Sequence, residues 1–126
     1  MTPFKHLALA ACLLLASPLW AGGAHEHKPL HGGIVVEASH MDWELVAKPE
    51  RIVIHVRDHG KKASTVGATA KLTLLVGKEK SEAVLKPAGD DRLEAEGPFK
   101  LASGAKLVAT VKLTGKAPAN VRFVLP

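Results

Sequence analysis

Apolar side chains recur at every second position through much of this chain, and that period limits what it can fold into. Ile52, Ile54 and Val56 alternate with Val53, His55 and Arg57, and Leu72, Leu74 and Val76 alternate with Lys71, Thr73 and Leu75. Successive side chains of an extended strand point to opposite faces, so this pattern predicts strands with one buried face. Residues 33–38, 42–48, 82–86, 92–96, 106–113 and 120–125 read as further strands. Turn-forming clusters separate them at 48–51, 58–61, 76–78, 87–91, 103–104 and 115–118. No segment after residue 24 carries a helical period. The expected fold is all-β, an antiparallel β-sandwich of about 7–8 strands, immunoglobulin-like or cupredoxin-like, with a small closed barrel as the alternative.

The first residues predict export. Lys5 supplies a positive start, residues 7–15 an apolar run, and Pro18 a break before the small residues Ala21 and Ala24. Residues 1–24 are therefore expected to be a signal helix, cleaved after Ala21 or after Ala24. A lipobox-like Leu9-Ala10-Ala11-Cys12 offers lipidation of Cys12 as a minor alternative, opposed by the apolar Leu13, Leu14 and Leu15 that follow it. The apolar run is shorter than the ~20 residues a spanning helix needs, so the mature protein is not expected to cross a membrane. Cys12 is the chain's single cysteine, and its removal leaves neither disulfide nor thiolate. The remaining chain of about 100 residues suits one domain, expected over 34–126, stabilised by a core.

The net charge of +5 drops by one when Lys5 leaves, and the lysines are scattered. A base-stacking surface would want aromatics beside basic residues, and only Trp43, Phe99 and Phe123 remain, so no nucleic-acid partner is expected.

Six of the seven histidines lie between His25 and His59. Imidazole is the commonest ligand for borderline transition metals, so this density in an exported segment points to metal binding. Three of them, His25, His27 and His31, fall in residues 25–33, where Gly32, Gly33 and Pro29 and a low apolar content predict a flexible lead-in. Cleavage after Ala24 would make His25 the first residue, whose free amine and imidazole can together chelate Cu(II).

The others can be placed by register. If Ala47 faces Ile52 across the 48–51 turn, Leu45 faces Ile54 and Trp43 faces Val56, giving one continuous apolar face. On the opposite face Val46 then meets Val53, Glu44 meets His55, Asp42 meets Arg57, and His40 meets His59. Opposed residues have Cβ atoms ~4.5–5.5 Å apart, close enough for His40 and His59 to share one ion. His55 and His59 are separated by ~13 Å along the strand and cannot easily do so; Glu44 is expected to hold His55 in a structural pair. Met41 and Trp43, beside His40, suggest a soft Cu(I) site only until the alternation is considered, which assigns both to the core. The candidate metal residues are thus His25, His27, His31, His40 and His59.

The run His31-Gly32-Gly33-Ile34-Val35, then Glu44-Leu45-Val46, then residues 52–61 with Ile54-His55-Val56-Arg57-Asp58-His59, resembles a known kind of domain. It is similar to the small periplasmic β-domain near the N-terminus of adaptor subunits of heavy-metal resistance-nodulation-division efflux pumps, and to free-standing exported proteins that accompany them. The likeness continues more faintly through residues 67–72 and the last strands. It does not extend to the adaptor's helical hairpin, lipoyl-like or membrane-proximal parts, so this chain is not expected to bridge a pump alone. The resemblance implies a periplasmic metal-handling module, a heavy-metal efflux pump component as partner, and His31 as the clearest shared position. A second similarity, to small periplasmic copper-carrying β-sandwiches whose mature chain starts with histidine, rests on size and the Ala24-His25 junction.

The function expected is non-catalytic binding of a divalent ion, Cu(II) or Zn(II), which the protein buffers or presents to an efflux system. Nitrogen ligands without thiolate favour those ions. The competing class is a metal-independent interaction module that docks to an exported or membrane efflux partner. Catalysis ranks last: there is no cysteine nucleophile after cleavage, no serine elbow, and Asp90-Asp91 sits in a turn.

Overall fold

The computed structural model describes residues 28–126. The segment expected to be a signal, both expected cleavage points, Cys12, His25 and His27 lie outside the described residues. The described residues form nine strands in chain order: β1 (Ile34–Ala38), β2 (Met41–Lys48), β3 (Arg51–Asp58), β4 (Lys61–Lys62), β5 (Thr69–Val76), β6 (Glu79–Ala88), β7 (Arg92–Glu96), β8 (Lys106–Lys112) and β9 (Ala119–Val124). Every strand expected from the alternation is present. The two-residue β4, which pairs Lys61 with Asp58 and Lys62 with Arg57, emerges from what read as a turn.

All pairings are antiparallel, and the sheet runs β1-β2-β3-β7-β6-β5-β8-β9 with β4 attached to β3. The outermost strands β1 and β9 come to lie beside each other, so the sheet is nearly closed and barrel-like. The cause is β6. Residues Glu79 to Leu85 pair with β5, and Lys86 to Ala88 continue onto β7. One ten-residue strand thereby joins the two halves of the sheet by backbone hydrogen bonds.

The interior is filled by alternate side chains of each strand. Trp43 and Leu45 from β2, Ile52, Ile54 and Val56 from β3, Leu72 from β5, Leu93 from β7, Leu107 and Val111 from β8, and Val121 and Phe123 from β9 are all buried. Each such side chain stabilises the fold by roughly 1.5–3 kcal/mol on transfer from water, which is why alternation dominates local preference. Trp43 also satisfies its one polar atom, its Nε1 donating to the Ala38 carbonyl at 2.9 Å. Met41 and Trp43 are core residues, as the alternation requires.

The β2–β3 register is the expected one: Ala47 opposes Ile52, Leu45 opposes Ile54, Trp43 opposes Val56, Glu44 opposes His55 and Asp42 opposes Arg57. This hairpin positions the site.

Candidate functional site

The face of the β2–β3 hairpin turned away from the core carries Asp42, Glu44, His55 and Arg57, yet all four are buried. Glu44 is 0% exposed, Arg57 5% and His55 9%. What covers Glu44, His55 and Arg57 is the segment before β1. The backbone N–H groups of Leu30, His31 and Gly33 donate to the Glu44 carboxylate at 2.9, 2.7 and 3.0 Å. Arg57 donates through Nη1 to the same carboxylate at 3.0 Å and through Nη2 to the Lys28 carbonyl at 3.0 Å. The lead-in expected to be flexible is thus strapped across the hairpin from Lys28 to Gly33.

Two glycines permit this. Gly32 adopts φ +72°, a left-handed conformation that bends the chain between the N–H groups of His31 and Gly33. Gly33 packs so closely against β2 that a Cβ there would collide with the Leu45 carbonyl. The result is a cradle of backbone donors around one carboxylate. Burial alone would raise the Glu44 pKa, but the N–H groups of Leu30, Gly33 and His31, with Arg57, outweigh it and hold the carboxyl below its usual value.

With its backbone fixed, His31 lays its imidazole on His55. The ring centroids are 3.6 Å apart and the planes 15° from parallel. His55 Nδ1 is buried and has no hydrogen-bond partner among the described residues. Burial, then the proximity of His31, pushes the His55 pKa down against the opposing pull of Asp91 and Glu44. The neutral imidazole, with a lone pair available, is the favoured form.

The two rings form one wall of an open cleft of about 380 Å³, completed by Lys62, Gly89, Asp90, Asp91 and Arg92. The acidic turn is held in place by backbone bonds: Val56 N–H donates to the Asp91 carbonyl at 2.9 Å and Thr65 N–H to the Asp90 carbonyl at 2.9 Å. Thr65 Oγ1 adds a bond to the Arg92 carbonyl at 3.0 Å. Two histidines, two aspartates, Lys62 and Arg92 therefore line one open recess, at whose wall His55 Nδ1 is itself buried.

The expected residues are distributed differently from the sequence reading. His31 is in the site. His40 and His59 are exposed turn residues with φ of +62° and +51°. The β2–β3 ladder ends at Asp42 opposite Arg57, so the extrapolated cross-strand pairing does not reach them. His59 instead places Nδ1 against Asp58 Oδ1, whose carboxylate also faces Lys116 at 3.8 Å. His55, expected to be held by Glu44, stands opposite it but stacks on His31, because the Glu44 oxygens are taken by backbone and Arg57. The His31–His55 pair was the part sequence reasoning missed; the adjacent glycines of His31-Gly32-Gly33 were the signal that the histidine was positioned.

Among the described residues, no group of three or more histidine, cysteine, aspartate or glutamate side chains is arranged to hold an ion. No described helix is long and apolar enough to cross a membrane. Comparison of the chain with protein families, with curated proteins and with solved structures gave no match.

Proposed function

We propose that this is a non-catalytic protein exported to the periplasm that binds a divalent transition metal, Cu(II) or Zn(II), and buffers it or presents it to a heavy-metal efflux system. The observation that carries the reading is the buried, unpartnered Nδ1 of His55 beneath the stacked ring of His31. A buried imidazole nitrogen without a partner is costly unless something supplies one, and a borderline metal ion is the partner imidazole serves best. Parallel rings do not converge on one point, so His31, the exposed member, turns to meet the ion. His25 and His27, a few residues upstream on the same segment, supply further ligands. His40 and His59 rank behind as separate surface positions.

On this reading the domain is kin to the small β-domain of efflux adaptor subunits, and its barrel-like sheet is a variant of the immunoglobulin-like or cupredoxin-like sandwich in which β6 serves both halves. Calorimetric titration of the tag-free exported protein with Zn(II) or Cu(II) tests it. Binding should be tighter than to the urea-denatured chain, fall by roughly tenfold or more in His31→Ala and His55→Ala, and weaken below about pH 6 as imidazoles protonate. Equal affinity of native and denatured protein would sink the reading.

A second reading, a metal-independent module docking to an efflux partner, draws support from an apolar cleft of about 240 Å³ lined by Met41, Trp43, Val111, Leu113 and Ala119. Capture of a pump component that is unchanged in His31→Ala and His55→Ala would favour it.

A further inference from the structure

We infer that Glu44 is a positioning residue for this site, and that docking of the 28–33 strap and occupancy of the site by metal are one coupled equilibrium. The inference rests on the metal-binding reading just given and adds how the site is assembled and released.

His31 reaches His55 only because its own backbone N–H, with those of its neighbours Leu30 and Gly33, is bonded to Glu44. Arg57 locks the same strap from its other end by joining the Glu44 carboxylate to the Lys28 carbonyl. Glu44 has no route to the ion itself: its side chain is fully enclosed, and its bonds go to the strap and Arg57. The hairpin thus supplies His55 on a fixed strand, and the strap supplies His31 on a segment attached to the sheet through the Glu44 carboxylate and the Arg57 guanidinium.

A ligand that bridges strap and hairpin binds the docked state alone. Its apparent affinity is then scaled by the docked fraction, and by reciprocity the ion must in turn strengthen docking. Anything that frees the strap lowers metal affinity without touching a ligand. Release into an efflux partner needs no more than a competitor for the strap.

The test combines amide hydrogen exchange with Zn(II) titration of the tag-free exported protein. In the wild type, Zn(II) should slow exchange at Leu30, His31 and Gly33 and leave the β5 and β8 amides unchanged. Glu44→Gln removes the charge that gathers these donors. It should speed exchange at the three strap amides and weaken Zn(II) binding by roughly tenfold or more, in proportion to the docked population lost. Gly33→Ala, which forces the strap off the Leu45 carbonyl while leaving every charge in place, should do the same with barrel amides unaffected. It decides the matter if Glu44→Gln loosens the barrel. His31→Ala should lose affinity with the strap still protected.

Wild-type affinity in a Gly33→Ala or Glu44→Gln protein whose strap amides exchange freely would overturn the coupling and leave the metal-binding reading standing. Absence of Zn(II) binding by the wild type would remove that reading and the coupling with it. Protected strap amides in metal-free Glu44→Gln would overturn the anchoring role on its own.

Discussion

At the scale of single residues, Glu44 shows how a charge is kept inside a small protein. A buried carboxylate is tolerated only when its lone pairs are filled, and here three backbone donors and a guanidinium fill them. Truncating it leaves Arg57 enclosed without its counter-charge, so Glu44→Ala should cost about 3–5 kcal/mol, read from the urea midpoint. Arg57→Ala should cost a comparable amount, and the double variant much less than the sum, because the second truncation removes the stranded partner. Acid should act in two stages. His55 sits below its ordinary 6.5, so the unfolded chain takes up that proton first, and the His55 contribution, complete above 6.5, is lost as pH falls through its folded value. Glu44 sits below its ordinary 4.5, so its contribution is complete above 4.5 and is lost as pH falls further. Urea midpoints measured from pH 8 to pH 3 should fall gently first and then steeply; His55→Gln should flatten the upper stage and Glu44→Gln the lower. Sequence placed Glu44 beside His55 correctly, because hydrophobic register fixed both strands. It could not show what holds Glu44, since three of its four donors are backbone groups and leave no trace in residue type.

At the scale of elements, alternation is informative wherever one face is buried and silent elsewhere. In β5, Leu72 is fully buried while Leu75, on the opposite face, is 37% exposed. Leu72→Ala should therefore destabilise by about 2–5 kcal/mol, and Leu75→Ala by much less, a contrast that chemical denaturation of the two variants measures directly. The β2–β3 hairpin was legible to the residue because Trp43, Leu45 and Ala47 match Ile52, Ile54 and Val56 in one way only. The pairing of His40 with His59 was an extension of that ladder past its last hydrophobic partner, where left-handed turns at both residues end the strand geometry. The strap was illegible for a related reason. Its order comes from contacts to distant residues, and a segment with little apolar content carries no periodic mark of them.

At the scale of the whole molecule, sandwich and barrel make the same demand on sequence, one buried face per strand, so the pattern could name the class without choosing the closure. That choice lay in the length of β6, whose exposed N-terminal half gives little hydrophobic signal. Strand order also fixes direction. Seven antiparallel steps separate β1 from β9 along the sheet, so the two run in opposite senses where they lie side by side. Ile34 therefore enters the barrel at the same end where Val124 leaves it. A glycine-serine linker from Pro126 to Lys28, long enough to leave the 28–33 strap docked on Glu44, with the chain reopened at the exposed Gly77-Lys78 turn, should yield a circular permutant with the parent's far-ultraviolet circular dichroism and most of its stability. The order in which this chain is threaded would then be a matter of synthesis, and the barrel indifferent to which strand is made first.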